Sequence, residues 1–265
     1  MWRLSDEDLL VTPLPVYASD ALERASPIPV FDSHVAFMEE AHEYHVDGVL
    51  VPRSVTGLIH AFTTEFDPRA VLRSMDTENR MQRYGSLSDE DVMAMWERNG
   101  AVARARGTLM HRQIEWLLNG GVLDDPSPEV EQFIGLFPSF GAEGLEIFRT
   151  ELSVYSAELN VAGQIDALFV DLEGAFIIVD WKRSQRIVFD SNRQMLHPLD
   201  HLPDANGSHY NLQLNLYRFM PEAQGFQVSR LFLCAFHPRA QAHVIEVPRL
   251  DVEIGIIIAA LAQAR

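Results

Sequence analysis

The chain has 265 residues, 47% of them hydrophobic, and a formal charge of -17 from 38 acidic and 21 basic side chains. That length buries a sizeable core, as one large domain or one domain with an appended lobe; no apolar run approaches a membrane span, and the single cysteine, Cys234, excludes an internal disulfide and a four-cysteine iron-sulfur cluster. The acidic total argues against avid binding to long duplex nucleic acid, yet residues 51 to 120 and 181 to 265 hold 18 of the 21 cations, so two regions stay open to an anionic ligand.

In chain order, residues 1 to 33 mix acids with Pro13, Pro15, Pro27 and Pro29, which suits an irregular, peripheral arm. The acidic opening is unlike a secretory or mitochondrial leader, so a soluble, intracellular protein is expected. The periodicity predicts a short helix over 35–44, then a strand pair over 45–51 turning at Asp47-Gly48. His34, His42 and His45 are scattered through this boundary, and read more readily as surface or packing residues than as metal ligands. A domain boundary near 41/42 follows, with an acidic arm over 1–41 and a single folded domain over 42–265. The acidic blocks at 1–50 and 121–180 also offer a docking surface for a replication or repair protein.

Ser54 and Thr56, after Arg53, stand where a helix over 57–62 needs an N-cap. The same free amides and hydroxyls would suit a phosphate. Ser88, followed by Asp89, Glu90 and Asp91, starts a longer helix with apolar positions through Ile114 and Leu117, and Gly100 and Gly107 are expected to interrupt it. Within it, Gly107-Thr108 precedes His111 and Glu115, which share a helical face four residues apart. A surface His-Glu pair explains this; alternatively, Gly107 lets a phosphate backbone pass close to the helix. The acidic, proline-bearing stretch 124–144 links or caps two halves of the molecule.

A core strand carrying Glu151 is expected over 148–156, and 162–183 reads as two apolar strands joined at Glu173-Gly174. Antiparallel pairing brings Asp166, early in the first, beside Asp180, at the far end of the second. Carboxylates at strand ends are commonly just solvated; a hard divalent cation is the sharper reason for two to converge. Lys182 shares a strand face with Asp180 and is the only lysine in the chain. A compact, rotatable ammonium at that position is not replaced by arginine's planar fork. The polar stretch 185–206 reads as a mobile loop over a site. A helix over 208–220 places Gln213 and Tyr217 one turn apart, strands are expected over 228–236 and 242–247, and an amphipathic helix over 250–264 closes the chain.

Glu151, Gly163 to Asp166, Asp180-Trp181-Lys182 and Gln213 to Tyr217, with Gly107 to His111 upstream, resemble in order and context the PD-(D/E)XK nuclease superfamily, in its RecB-type branch. The Ser54-Val55-Thr56 element and His45-Val46-Asp47-Gly48 further resemble the mitochondrial genome maintenance exonuclease group and related virus-encoded nucleases. The resemblance covers about residues 42 to 245, and residues 1 to 41 have no counterpart in it. It implies an α/β fold with a restriction-endonuclease-like core, a mixed central sheet flanked by helices. It also implies a metal-dependent DNA exonuclease acting on single strands or free ends, in replication, repair or recombination. A structure-specific or flap endonuclease is the nearest variant, and an inactive nucleic-acid-binding domain on the same fold the rival. By the resemblance, His111, Asp166, Asp180 and the backbone carbonyl of Trp181 would ligate Mg2+ or Mn2+. Glu151 matches the first acidic position, and Lys182 would orient the attacking water. Gln213 and Tyr217 would position DNA or the lysine, and Arg53, Ser54, Thr56, Gly107, Thr108 and Arg183 would face the substrate.

Overall fold

The structure, a computed structural model, describes residues 5–11, 35–38, 41 and 43–263; His34 and His42 lie outside the described residues. It begins with helix α1 (Asp6–Val11) and a small antiparallel sheet of β1 (Val35–Met38), β2 (Glu43–Val46) and β3 (Val49–Leu50). The β2–β3 turn falls on Asp47-Gly48, whose φ angles of 50° and 79° are the left-handed values of a two-residue hairpin turn. The helix expected over 35–44 is absent among the described residues there. Val35 and Phe37 pair with Val46 and Tyr44, and these four side chains gather with Val51 and Ala162 in a small core of their own, which is strand periodicity. The 41/42 boundary falls inside this hairpin.

Next come α2 (Val55–His60), α3 (Pro68–Ser74), α4 (Thr77–Tyr84) and the 30-residue α5 (Asp89–Leu118), then α6 (Pro128–Leu136) and α7 (Pro138–Ala142). Helix α5 runs unbroken through Gly100 and Gly107. A glycine costs about 1 kcal/mol against alanine in a helix interior, and tertiary contacts outweigh two of them. A capping box between Ser88 and Asp91 fixes the start, and Val92, Leu109, Met110 and Ile114 are buried. The acids of α1 dock on this helix, Asp6 2.8 Å from Nε of Arg106 and Glu7 2.9 Å from Arg98, so these two carboxylates are spent on the protein's own arginines.

The main sheet has five strands in spatial order β4 (Glu146–Ser156), β5 (Val161–Val170), β6 (Phe176–Arg183), β7 (Val228–Phe236) and β8 (His243–Glu246). Only β6 and β7 are parallel, joined by a crossover that contains α8 (Asn206–Glu222); the other neighbours are antiparallel. The fold is therefore mixed α/β, a five-stranded mixed sheet between two helical layers. On one face, Leu152, Ile178 and Leu233 pack under Val55 and Leu58 of α2, Leu212 and Leu216 of α8, and Ile254 and Ile257 of α9 (Asp251–Gln263). On the other, Ile177, Val179, Trp181 and Cys234 meet Met110 and Ile114 of α5, Phe133 of α6 and Phe140 of α7. Alternation along β6 makes the division clean, since Phe176 and Ile178 belong to the first core and Ile177, Val179 and Trp181 to the second.

Residues 185–205 have little regular structure, yet they are tied down. Met195 and Leu199 are buried in the first core, and the amide of Leu196 donates to the carbonyl of Phe62 at 2.7 Å. Among the described residues, no helix is long and apolar enough to cross a membrane.

Candidate functional site

The site forms where β5 and β6 part. Their ladder ends at Ala167 opposite Val179, so the next pair would be Asp166 and Asp180. There the backbone bond is replaced by a side-chain one, the Trp181 amide donating to Oδ2 of Asp166 at 2.7 Å. Asp180 and Lys182 continue the β6 face of Phe176 and Ile178, which lies under α8, while Trp181 points the other way into the aromatic core.

On the other side of β5, strand β4 is kinked at Glu151. Its φ is 46°, left-handed for a residue with a side chain, and the regular pairing skips the 151/166 position. Thr150 and Leu152, two apart, therefore face opposite layers. Thr150 accepts from Nδ2 of Asn119 at the end of α5 (2.9 Å), whereas Leu152 packs in the core beneath α8. Across the ladder, Ala167 and Ile165 divide between the two cores in the same way. Such backbone strain costs about 1–3 kcal/mol. The carbonyl of Glu151, excluded from the ladder, is met by Nε2 of Gln164 at 3.0 Å.

Helix α5 supplies the third side chain. Met110 and Ile114 anchor it on the sheet, and His111 between them reaches the strand ends, its Nδ1 3.6 Å from Oδ1 of Asp166 and 3.8 Å from Oε1 of Glu151. One ligating atom from each of His111, Glu151 and Asp166 lies within 4.8 Å of the other two. Ligands on one hexacoordinate cation at about 2.1 Å sit about 3.0 Å apart when adjacent and about 4.2 Å when opposed. The donor set therefore fits a divalent ion with a small closure.

Electrostatics favour the same conclusion. Burial raises the carboxyls of Glu151 and Asp166 above the ordinary carboxylate range, against the pull of His111. Burial pushes Asp180 up to about 6, with Lys182 opposing and Asp166 adding to the rise. Burial works against a charge on His111, but Asp166 and Glu151 outweigh it and bring its pKa to about 9. Three carboxyls that resist ionisation around one imidazolium and one ammonium are a site short of positive charge.

Asp180 is held by the lysine. Nζ of Lys182 donates to Oδ1 at 2.9 Å and lies 2.6 Å from Oδ2, which is buried and accepts no hydrogen bond. The close Oδ2 approach is a charge contact off the hydrogen-bonding line. Gln213 also donates to Oδ1 (3.2 Å) and to the hydroxyl of Tyr217 (3.1 Å), linking α8 to the strand ends. Helix α8 adds a contact the sequence reading did not include, the ring of Tyr210, whose centroid lies 5.2 Å from Nζ of Lys182. Gly163 lets α8 come this close, since a Cβ there would lie 2.6 Å from the Tyr217 ring and 3.0 Å from Val55.

His111, Glu151, Asp166, Gln213 and Tyr217 border a cleft of about 570 Å3, lined also by Thr56, Gly107, Thr108, Arg112, Glu115, Gln164, Phe37 and Tyr44. A Cβ at Gly107 would meet nothing within 4 Å, so the helix surface there is open. Other expected substrate residues have different positions. Ser54 spends its hydroxyl on capping α2, accepting from the amide of Gly57 at 3.0 Å. The carbonyl of Arg53 accepts from the amide of Ala162, and its side chain is exposed. Arg183 stands on the opposite face from Lys182, with Nε 2.6 Å from the buried carboxylate of Glu129. Sequence reading passed over Tyr44, Gln164 and Arg112. Tyr44 had a signal, being on the buried side of a strand whose turn, Asp47-Gly48, is legible.

No known family model and no curated protein matches the chain. Among solved structures, the crystal structure of SSO0001 aligns over 79% of this chain and 72% of that one, at 17% identity and a TM-score of 0.32, a likeness too slight to bear on fold or function.

Proposed function

We propose that this protein is a metal-dependent nuclease hydrolysing DNA phosphodiester bonds, an exonuclease on single strands or free ends, built on a restriction-endonuclease-like core of the PD-(D/E)XK type. One observation carries the reading: His111, Glu151 and Asp166 converge within 4.8 Å in an open cleft, next to the pair of half-buried Lys182 and buried Asp180. His111, Glu151 and Asp166 would hold Mg2+ or Mn2+. Asp180, with an oxygen that accepts no hydrogen bond, and the Trp181 carbonyl are the ligands that the resemblance adds. When bound, such an ion lowers the pKa of a water and offsets charge on phosphate. A histidine in the donor set suits Mn2+ as well as Mg2+.

The chain's own residues do the rest. Asp180 fixes the ammonium of Lys182 at the site, and Gln213 fixes Asp180. A fixed cation beside the scissile phosphate stabilises charge that grows in the transition state and orients the attacking water. Gly107 and Thr108 leave the cleft wall low enough for a sugar-phosphate backbone to approach. The overall charge of -17 favours a substrate gripped locally over one held along a long duplex.

The test is hydrolysis of labelled single-stranded DNA by the purified protein with Mg2+ or Mn2+. Asp166→Ala and Lys182→Ala should each abolish it, and turnover surviving either would refute the assignment. A covalently closed single-stranded circle separates an exonuclease, which leaves it intact, from an endonuclease, which opens it; an RNA substrate tests the sugar.

A further inference from the structure

The small sheet β1–β2–β3 is an addition beside the main one, and it presents one polar group to the cleft. Tyr44 pairs across the hairpin with Phe37, their ring centroids 4.8 Å apart, and packs with Val51 and Ala162, leaving it 7% exposed. Its ring is fixed by this packing, yet its hydroxyl makes no hydrogen bond among the described residues, and the side chain lines the cleft that holds His111, Glu151 and Asp166. A phenol is protonated at neutral pH, and burial, with the charges of Glu151 and Asp166, raises it further. Tyr44 is therefore a rigid, neutral O–H donor next to a cation site, with no protein acceptor among the described residues. A donor held on the wall of an open cleft finds its complement in whatever acceptor binds there, and beside a cation site that acceptor is an oxygen of a bound anion.

We propose that the hydroxyl of Tyr44 donates a hydrogen bond to a non-bridging oxygen of the phosphate bound at the His111–Glu151–Asp166 site, making Tyr44 a substrate-binding residue and the small sheet its support. The inference rests on the metal-dependent reading above and assigns a phosphate contact that reading did not contain. It also accounts for the Phe37–Tyr44 pair, since a donor that must reach one oxygen gains from a ring that cannot rotate away.

The test uses Mn2+ and inorganic phosphate, without catalysis. Tyr44→Phe keeps the ring and its packing on Phe37 and removes only the hydroxyl. Mn2+ affinity should stay within about twofold of wild type, which also reports an intact fold, while phosphate should bind the Mn2+-loaded variant about 10- to 100-fold more weakly. Equal phosphate affinity in the two proteins overturns the Tyr44 assignment and leaves the metal reading standing. Wild-type protein that binds Mn2+ but no phosphate overturns it too. Wild-type protein that binds no Mn2+ removes the metal reading and this inference together.

Discussion

The contact of β5 with α8 at Gly163 gives a prediction that does not depend on function. In Gly163→Ala, the new methyl would lie 2.6 Å from Cε1 of Tyr217 and 3.0 Å from Cγ2 of Val55. Carbon atoms settle at about 3.5–4.0 Å, so the deficit against the tyrosine ring is roughly 1 Å. Tyr217 is 4% exposed and its hydroxyl is held by Gln213, so displacing its ring disturbs that bond, while Val55 is fully buried. Overpacking of this kind costs about 1–3 kcal/mol, which outweighs the roughly 0.4–1 kcal/mol that replacing glycine gains through the unfolded chain. Urea unfolding should therefore show Gly163→Ala destabilised. In a Tyr217→Ala background the ring is gone and only Val55 must give by a few tenths of an ångström, so the cost should shrink by about 1 kcal/mol or more. An equal cost in both backgrounds would refute the argument.

Four further outcomes follow from the site and its surroundings. In metal-free protein, His111 has its pKa raised from 6.5 to about 9, so its contribution to stability is complete below about pH 6.5 and lost as pH rises through about 9; unfolding measured across that window should show the decline, and His111→Asn should flatten it. Since the ion and that proton compete for one nitrogen, Mn2+ affinity should rise about tenfold per pH unit over the same window; titrations with no pH dependence would remove His111 from the ligand set. Lys182→Met strands the 1%-exposed Asp180 and should cost about 3–5 kcal/mol, most of it recovered by adding Asp180→Asn; a double variant as unstable as the single would exclude the pair as the cause. Arg183→Gln should destabilise by a similar amount, because it leaves the buried Glu129 carboxylate without its partner, with Mn2+ affinity unchanged; the reverse pattern, weakened binding at full stability, would put Arg183 on the substrate side.

Much of this architecture was legible because it rests on local rules. Near-continuous apolar runs marked β5 and β6, glycine with an acidic neighbour marked the turns at Asp47-Gly48 and Glu173-Gly174, and Ser88 with Asp91 marked the start of α5. The errors were made where tertiary contacts override local preference. Gly100 and Gly107 suggested a broken helix, but buried Leu109, Met110 and Ile114 hold α5 continuous. Residues 35–44 carried too short a pattern to separate helix from strand, and the pairing of Phe37 with Tyr44 decided it. Arg183 shows the limit of proximity in sequence, because one step along a strand from Lys182 moves a side chain to the other face, where only the folded chain reveals Glu129.

Glu151 is the deeper case. The sequence placed it on a strand ahead of Asp166, and a regular strand would have kept Thr150 and Leu152 on one face. A left-handed residue turns the strand over at one point, so the layer that holds α5 and the layer that holds α8 both gain access to the same pair of positions, 151 and 166. His111 reaches both from the first layer, while from the second Gln213 reaches Asp180, the residue across from Asp166 on β6. Glycine would adopt that angle without strain, but glycine has no carboxylate to set beside His111. The strain at Glu151 is the consequence of requiring a kink and a charged side chain at the same residue, and sequence periodicity, which assumes an unbroken strand, has no means of registering it.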